Sequence, residues 1–61
     1  MAEEQVIITG DKVRILPSDW AIVNGWSGKE GEVVRPLPGI WFIVKVEGHE
    51  LHVIDRELEK I

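Results

Sequence analysis

The chain has 61 residues, no cysteine and a formal net charge of −4. This length allows one domain with a compact core, and the missing cysteines exclude a disulfide framework and a thiolate zinc site. The longest uncharged apolar run, Ile40 to Val44, is far shorter than the ~20 residues of a membrane span. The acidic charge disfavours sequence-independent binding to nucleic acid. Residues 1–5 are acidic and lack the features of a signal peptide, so we expect a water-soluble, cytoplasmic protein.

The first predicted strand runs from Lys12 to Leu16, just after Gly10 and Asp11. Its alternation places Val13 and Ile15 on one face, which we expect to point into the core. Upstream, residues 6–9 are β-branched, and Gly10 interrupts this run before the first strand. Residues 1–9 are therefore interpreted as an N-terminal extension or edge strand, which either pairs at the sheet edge or covers one end of the domain.

A long loop is predicted from Pro17 to about Glu30, because proline cannot donate to a strand ladder and short polar residues favour turns. The loop contains Trp20 and Trp26 together with the turn sequence Asn24-Gly25. Turn chemistry mixed with large apolar groups is typical of a structured functional loop.

Two further strands are predicted over Glu30–Arg35 and Ile40–Val46, separated by a Pro- and Gly-rich connection. In the second of these, one side is uniformly apolar and is assigned to the core, whereas the other side faces outward. The core side comprises Ile40, Phe42, Val44 and Val46, and the outward side comprises Trp41, Ile43 and Lys45.

Gly48-His49 fits a two-residue type II′ hairpin turn with glycine at the first central position. This turn pairs Val46 with Leu51, Lys45 with His52, Val44 with Val53 and Ile43 with Ile54. A short 3-10 turn at residues 55–57 and a last strand from Leu58 to Ile61 complete the order. The predicted fold is an all-β, five-stranded SH3-like barrel over residues 10–61, with a long first loop.

Three segments carry a resemblance to a known family. Residues 10–15 (Gly-Asp-Lys-Val-Arg-Ile), residues 28–33 (Gly-Lys-Glu-Gly-Glu-Val) and the closing residues 58–61 resemble the KOW domain of NusG-type transcription factors. The resemblance implies an SH3-like barrel in which Gly31 is the characteristic glycine of the family. The segment between Leu16 and Gly31 is longer than the usual KOW loop, so contacts of that loop do not carry over.

Two other families resemble this chain in the general layout of their sequence patterns. The variable chain of ferredoxin–thioredoxin reductase also begins Gly-Asp-x-Val-Arg and ends in a pattern similar to His52 through residues 57–61 here. Plasmid-type dihydrofolate reductase is similar too, but that family needs Gln and Tyr where this chain has His52 and Ile54. The likeness therefore predicts fold far better than activity.

The leading functional hypothesis is a non-catalytic module or accessory subunit that binds a protein partner. Strand alternation places an apolar patch on the outside, and tryptophan is enriched in binding hot spots. The candidate contacts are Trp20, Trp26, Trp41, Ile43 and Ile54. Two alternatives stay open. In the first, Trp20 and Trp26 close the ends of the core and do not bind a partner. In the second, residues 6–8 cover the patch around Trp41, or weak self-association covers it in place of a partner.

A KOW-type nucleic-acid-binding barrel is the second hypothesis. Its contacts would be a stripe formed by Lys12, Arg14, Arg35 and Lys45 next to Trp41. The acidic residues Glu32, Glu47 and Glu50 reduce the positive charge of this stripe. A third hypothesis is a designed small barrel without natural activity.

The sequence predicts neither a metal site nor a catalytic one. His49 and His52 are assigned to a turn and a solvated strand, with no further ligands beside them. No serine, histidine and acid arrangement and no phosphate-binding loop can be argued from the spacing. We expect no cofactor and no enzymatic activity.

Overall fold

Five antiparallel strands form one sheet in the computed structural model, which describes residues 6–61. In chain order the elements are β1 (Lys12–Ile15), α1 (Asp19–Asn24), β2 (Glu30–Pro36), β3 (Trp41–Val46), β4 (His49–Ile54), a 3-10 turn (Asp55–Glu57) and β5 (Leu58–Lys60). The sheet order is β4-β3-β2-β1-β5. The predicted all-β class, the five strands and the 3-10 turn are confirmed. The sheet itself is open, with β4 and β5 at its edges. The expectation about residues 1–5 lies outside the described residues.

The core lies on the inner face of the sheet. Its fully buried side chains come from all five strands and comprise Val13, Ile15, Val33, Val44, Val46, Val53 and Leu58. The predicted inward faces of β1 and β3 are therefore confirmed for these positions. Ile40 is a correction: it lies in the turn before β3 and is 49% exposed, because the strand begins one residue later than predicted.

Strand β2 lies unusually close to β3 at Gly31. A Cβ built at Gly31 would lie 2.5 Å from the backbone oxygen of Lys45 and 2.6 Å from Cγ2 of Val46. Real Cβ atoms essentially never make contacts this short, so only glycine fits here without a shift of its neighbours. Further along β2, the register shifts between Val33 and Arg35, and such a β-bulge increases local bending. The glycine and the bulge together allow the sheet to curve around a small core.

The predicted long first loop contains a six-residue helix, α1. Ser18 caps its N-terminus, where Oγ accepts a hydrogen bond from the backbone N–H of Ala21 (3.2 Å). Gly25 ends the helix in a left-handed conformation (φ 78°). Ala21 is fully buried and joins the core cluster. Residues of this segment that were assigned to turns therefore act as helix caps.

The β3–β4 hairpin turns at Glu47-Gly48 and not at Gly48-His49. Both turn residues have positive φ (51° and 84°), which defines a type I′ geometry. The observed register pairs Val46 with His49, Val44 with Leu51 and Trp41 with Ile54. The predicted register is therefore wrong by two residues. A shift of two keeps the same side chains inward, so the hydrophobic pattern could not reveal the error.

Residues 6–11 cover the core without forming a strand. Ile7 is buried in the core cluster. The N–H of Ile8 donates to Asp11 Oδ2 (2.9 Å), and the Lys60 ammonium lies 3.2 Å from the same oxygen. Together these two contacts hold the pKa of Asp11 below its ordinary value. Lys60 Nζ also donates to the backbone oxygen of Val6 (3.0 Å). One carboxylate thus joins the N-terminal segment to β5.

The variant Asp11→Asn tests this anchor through its pH dependence. A lowered carboxylate pKa stabilises the fold at pH values above the ordinary aspartate pKa, and the contribution is lost as the pH falls through the lowered value. We expect wild type to be more stable than Asp11→Asn at pH 7, with the difference vanishing in strong acid, as measured by urea unfolding. Glu50 is exposed and forms no ion pair among residues 6–61, so the stability of Glu50→Gln should change with pH in parallel with that of wild type. A constant difference between wild type and Asp11→Asn at all pH values would contradict the anchor.

The variant Gly31→Ala tests the close approach of β2 to β3. The added methyl group meets backbone as well as side-chain atoms, so we expect a loss of about 3 kcal/mol in the free energy of unfolding, the upper end of the usual cost of overpacking. Gly28→Ala is the matched control, because Gly28 has positive φ but open space around it and should lose only about 1 kcal/mol. Urea unfolding in sulfate buffer, which stabilises the small domain, gives both values. Equal losses would contradict the close approach.

Candidate functional site

The outer face of the sheet is polarised between an apolar end and a charged end. Cross-strand pairing and the hydrogen bond from Leu37 N–H to the Trp41 oxygen (2.9 Å) arrange its residues in three rows. The rows are Leu37–Trp41–Ile54, then Arg35–Ile43–His52, then Lys12–Glu32–Lys45–Glu50. The apolar row lies beside α1 and the 3-10 turn, and the charged row lies towards the β3–β4 hairpin.

Two open concavities flank Trp41 at the apolar end. One, of about 390 Å³, is lined by Leu37, Pro38, Trp41 and His52. The other, of about 290 Å³, is lined by Trp20, Trp41, His52, Ile54 and Glu57. We call the residues Trp20, Leu37, Pro38, Trp41, His52 and Ile54 the tryptophan face. Trp20 is 37% exposed and Trp41 is 46% exposed, so both indoles are accessible to a partner.

Helix α1 places Trp20 on this face. Because Ala21 points into the core, its neighbour Trp20 is directed to the surface of the short helix. Asn24 Nδ2 donates to the backbone oxygen of Trp20 (2.9 Å), and the Ser18 cap fixes the first turn. The position of Trp20 thus depends on local caps and on a single buried alanine.

The structure separates the five predicted contact residues into groups. Trp20, Trp41 and Ile54 come together around one concavity. Trp26 packs against the core cluster, and its ring lies 5.7 Å from that of His49 at 60°. Ile43 is on the outer face by register but only 6% exposed, so the expectation that it is exposed is wrong. Trp41 is not covered by residues 6–8, because it remains about half exposed and Ile7 joins the core instead.

The predicted basic stripe is interrupted by acidic neighbours. Arg14 pairs with Glu30 (3.2 Å) and with Glu59 (3.3 Å), one on each adjacent strand. Lys12 and Lys45 lie on either side of Glu32 in the charged row. Arg35 occupies the middle row with Ile43. Exposed pairs of this kind add little to stability, but they cancel the positive field that a phosphate backbone would meet.

Residues 6–61 contain no group of three His, Asp or Glu side chains arranged to hold a metal ion. In the same part of the chain, every helix is too short and too polar to cross a bilayer. His49 lies against Trp26, whereas His52 belongs to the tryptophan face.

Four residues that line the two concavities could not be recognised from the sequence as site residues. Leu37 and Pro38 lie in the predicted connection between two strands, Glu57 lies in the predicted 3-10 turn, and His52 was assigned to a solvated strand. They come together because the β2–β3 connection and the 3-10 turn both reach the end of β3 where Trp41 lies. A leucine between two prolines is an apolar residue at a turn, and this was the one available signal.

Comparisons with models of protein families, with curated proteins and with solved structures give no significant match.

Proposed function

We propose that this chain is a binding module without catalytic activity of its own, and that it recognises a protein partner through the tryptophan face. The observation that supports this is the exposure of Trp20 and Trp41 beside two apolar concavities. A soluble domain gains nothing for its own stability by leaving two indoles half in water. Contiguous exposed apolar surface of this kind is typical of interaction sites, and tryptophan is a frequent hot-spot residue.

The proposed architecture is an SH3-like barrel of the KOW type. The order β4-β3-β2-β1-β5, the bend at Gly31, the bulge in β2 and the 3-10 turn before β5 all support a sheet curved towards closure. The close approach of β3 atoms to Gly31 also supports its role as the characteristic glycine of the resemblance. In this architecture the two exposed indoles lie on a strand and on a capped helix, which reduces the entropy lost on binding.

The charge of the tryptophan face favours a basic and apolar partner segment. Asp19 precedes Trp20 in the sequence, and Asp55 follows Ile54. Glu57 lines the smaller concavity. None of the three forms an ion pair within residues 6–61. With a net charge of −4 on the whole chain, these acids attract positive groups and increase the rate of encounter with them.

The test is selection of peptides from a random displayed library on the immobilised domain. We expect the selected peptides to combine basic and apolar residues. Trp20→Ala and Trp41→Ala should each weaken their binding at least about tenfold, because a hot-spot indole contributes 2 kcal/mol or more. Titration by fluorescence anisotropy measures this loss, and circular dichroism confirms that each variant is folded. His52→Ala provides a second probe at an exposed strand position and should weaken binding in the same direction.

Ile61→Ala is the matched control. Ile61 is 54% exposed but lies beside Lys12, and its N–H donates to the Lys12 oxygen (3.0 Å), away from the tryptophan face. Its binding should stay within twofold of wild type. Binding that is indifferent to Trp20, Trp41 and His52 would contradict the proposal. So would salt-sensitive binding of single-stranded or duplex RNA in place of peptides, or a dimer whose sedimentation depends on Trp41.

A further inference from the structure

The smaller concavity of the tryptophan face combines two aromatic rings with a carboxylate-bearing residue. Trp20 comes from α1, Trp41 from β3 and Glu57 from the 3-10 turn, with Ile54 and His52 completing the lining. The two indoles belong to separate elements, so each presents its own surface to the space of about 290 Å³ between them. The face of an indole attracts cations through its quadrupole, more strongly than any other aromatic side chain does.

The surrounding charges leave this concavity without an internal cation. Among residues 6–61, Arg14, Lys29 and Lys60 are engaged in ion pairs with acids elsewhere. Lys12 and Lys45 belong to the charged row, and Arg35 lies in the middle row. Arg56 is next to Glu57 in sequence but does not line the concavity. The exposed Asp19 and Asp55 and the half-buried Glu57 therefore have no ion-pair partner among residues 6–61.

We propose that this concavity binds an alkylammonium group, presented as a lysine side chain of the partner segment, and that N-methylation of that lysine strengthens binding. Methyl groups make an ammonium easier to desolvate while its charge still interacts with the rings and the carboxylate. The apolar lining from Ile54 and the indoles suits the methyl groups, and Glu57 balances the charge. This proposal rests on the proposed function and specifies which chemical group of the partner enters the face.

The experiment titrates the domain with four small probes and follows the indole Nε1–H signals by NMR. The probes are tetramethylammonium, N-acetyl-lysine methylamide, its trimethylated form and an uncharged tert-butyl isostere of the trimethylated form. We expect the Trp20 and Trp41 signals to shift with the cationic probes, and the signal of Trp26 to stay in place because that ring packs against the core. Trimethyllysine should bind at least threefold more tightly than lysine, and the isostere at least tenfold more weakly than trimethyllysine.

Two charge variants separate the carboxylate of the concavity from the general acidity of the chain. Glu57→Gln should weaken trimethyllysine binding about threefold to tenfold. Glu50→Gln removes the same charge from the charged row and should change it less than twofold. Both substitutions preserve side-chain size at positions that are not fully buried, so the fold should be retained.

Equal binding of the uncharged isostere and trimethyllysine would overturn the proposal, as would equal effects of Glu57→Gln and Glu50→Gln. A shift of the Trp26 signal as large as those of Trp20 and Trp41 would overturn it too. A failure of the cation site and a failure of the proposed function would give different results. Selected peptides that need Trp41 but contain no basic residue would leave the peptide-binding face intact and exclude only the cation site. Free cations that bind while no peptide depends on the tryptophans would exclude only the peptide-binding function.

Discussion

The close approach of β2 to β3 at Gly31 is the constraint on which the remaining structure depends. A domain of 61 residues has few apolar side chains, and a flat sheet would leave them covered on one side only. The missing side chain at Gly31 lets β2 lie against Val44 and Val46, and the bulge near Val34 adds further bending. The curved sheet then buries one valine-rich face, while Ile7 and Ala21 cover it from outside the strands.

Cross-strand pairing gives the outer face of this sheet two different ends. Near the β3–β4 hairpin, the outer positions carry alternating charges that neutralise one another across the strands. At the other end, the β2–β3 connection, α1 and the 3-10 turn converge on Trp41 and leave an apolar, acid-rimmed surface. A face with compensated charges at one end and accessible indoles at the other is better suited to a protein segment than to a phosphate backbone.

Features that depend on local sequence period could be predicted, whereas features that depend on tertiary placement could not. The alternation in β1 and β3 identified Val13, Ile15, Val44 and Val46 as core, since side chains in a strand alternate whatever lies around them. The hairpin register was missed because a shift of two residues preserves that alternation, and glutamate rarely takes the positive φ found at Glu47. Helix α1 has only six residues and is stabilised by its caps and by burial of Ala21, so its apolar pattern is too short to be recognised. Trp20 could be identified as a candidate contact from the sequence, but its position beside Trp41 could not be inferred without helix α1.

The unequal accessibility of the three tryptophans is the most direct test of this account. Chain labelled with 5-fluorotryptophan gives one ¹⁹F signal per indole, each assigned by a Trp→Phe variant, and the shift between H₂O and D₂O reports contact with solvent. We expect large solvent shifts for Trp20 and Trp41 and a smaller one for Trp26, which packs against the core. A Trp41 signal as protected from solvent as that of Trp26 would contradict it, because the tryptophan face would then be an internal surface.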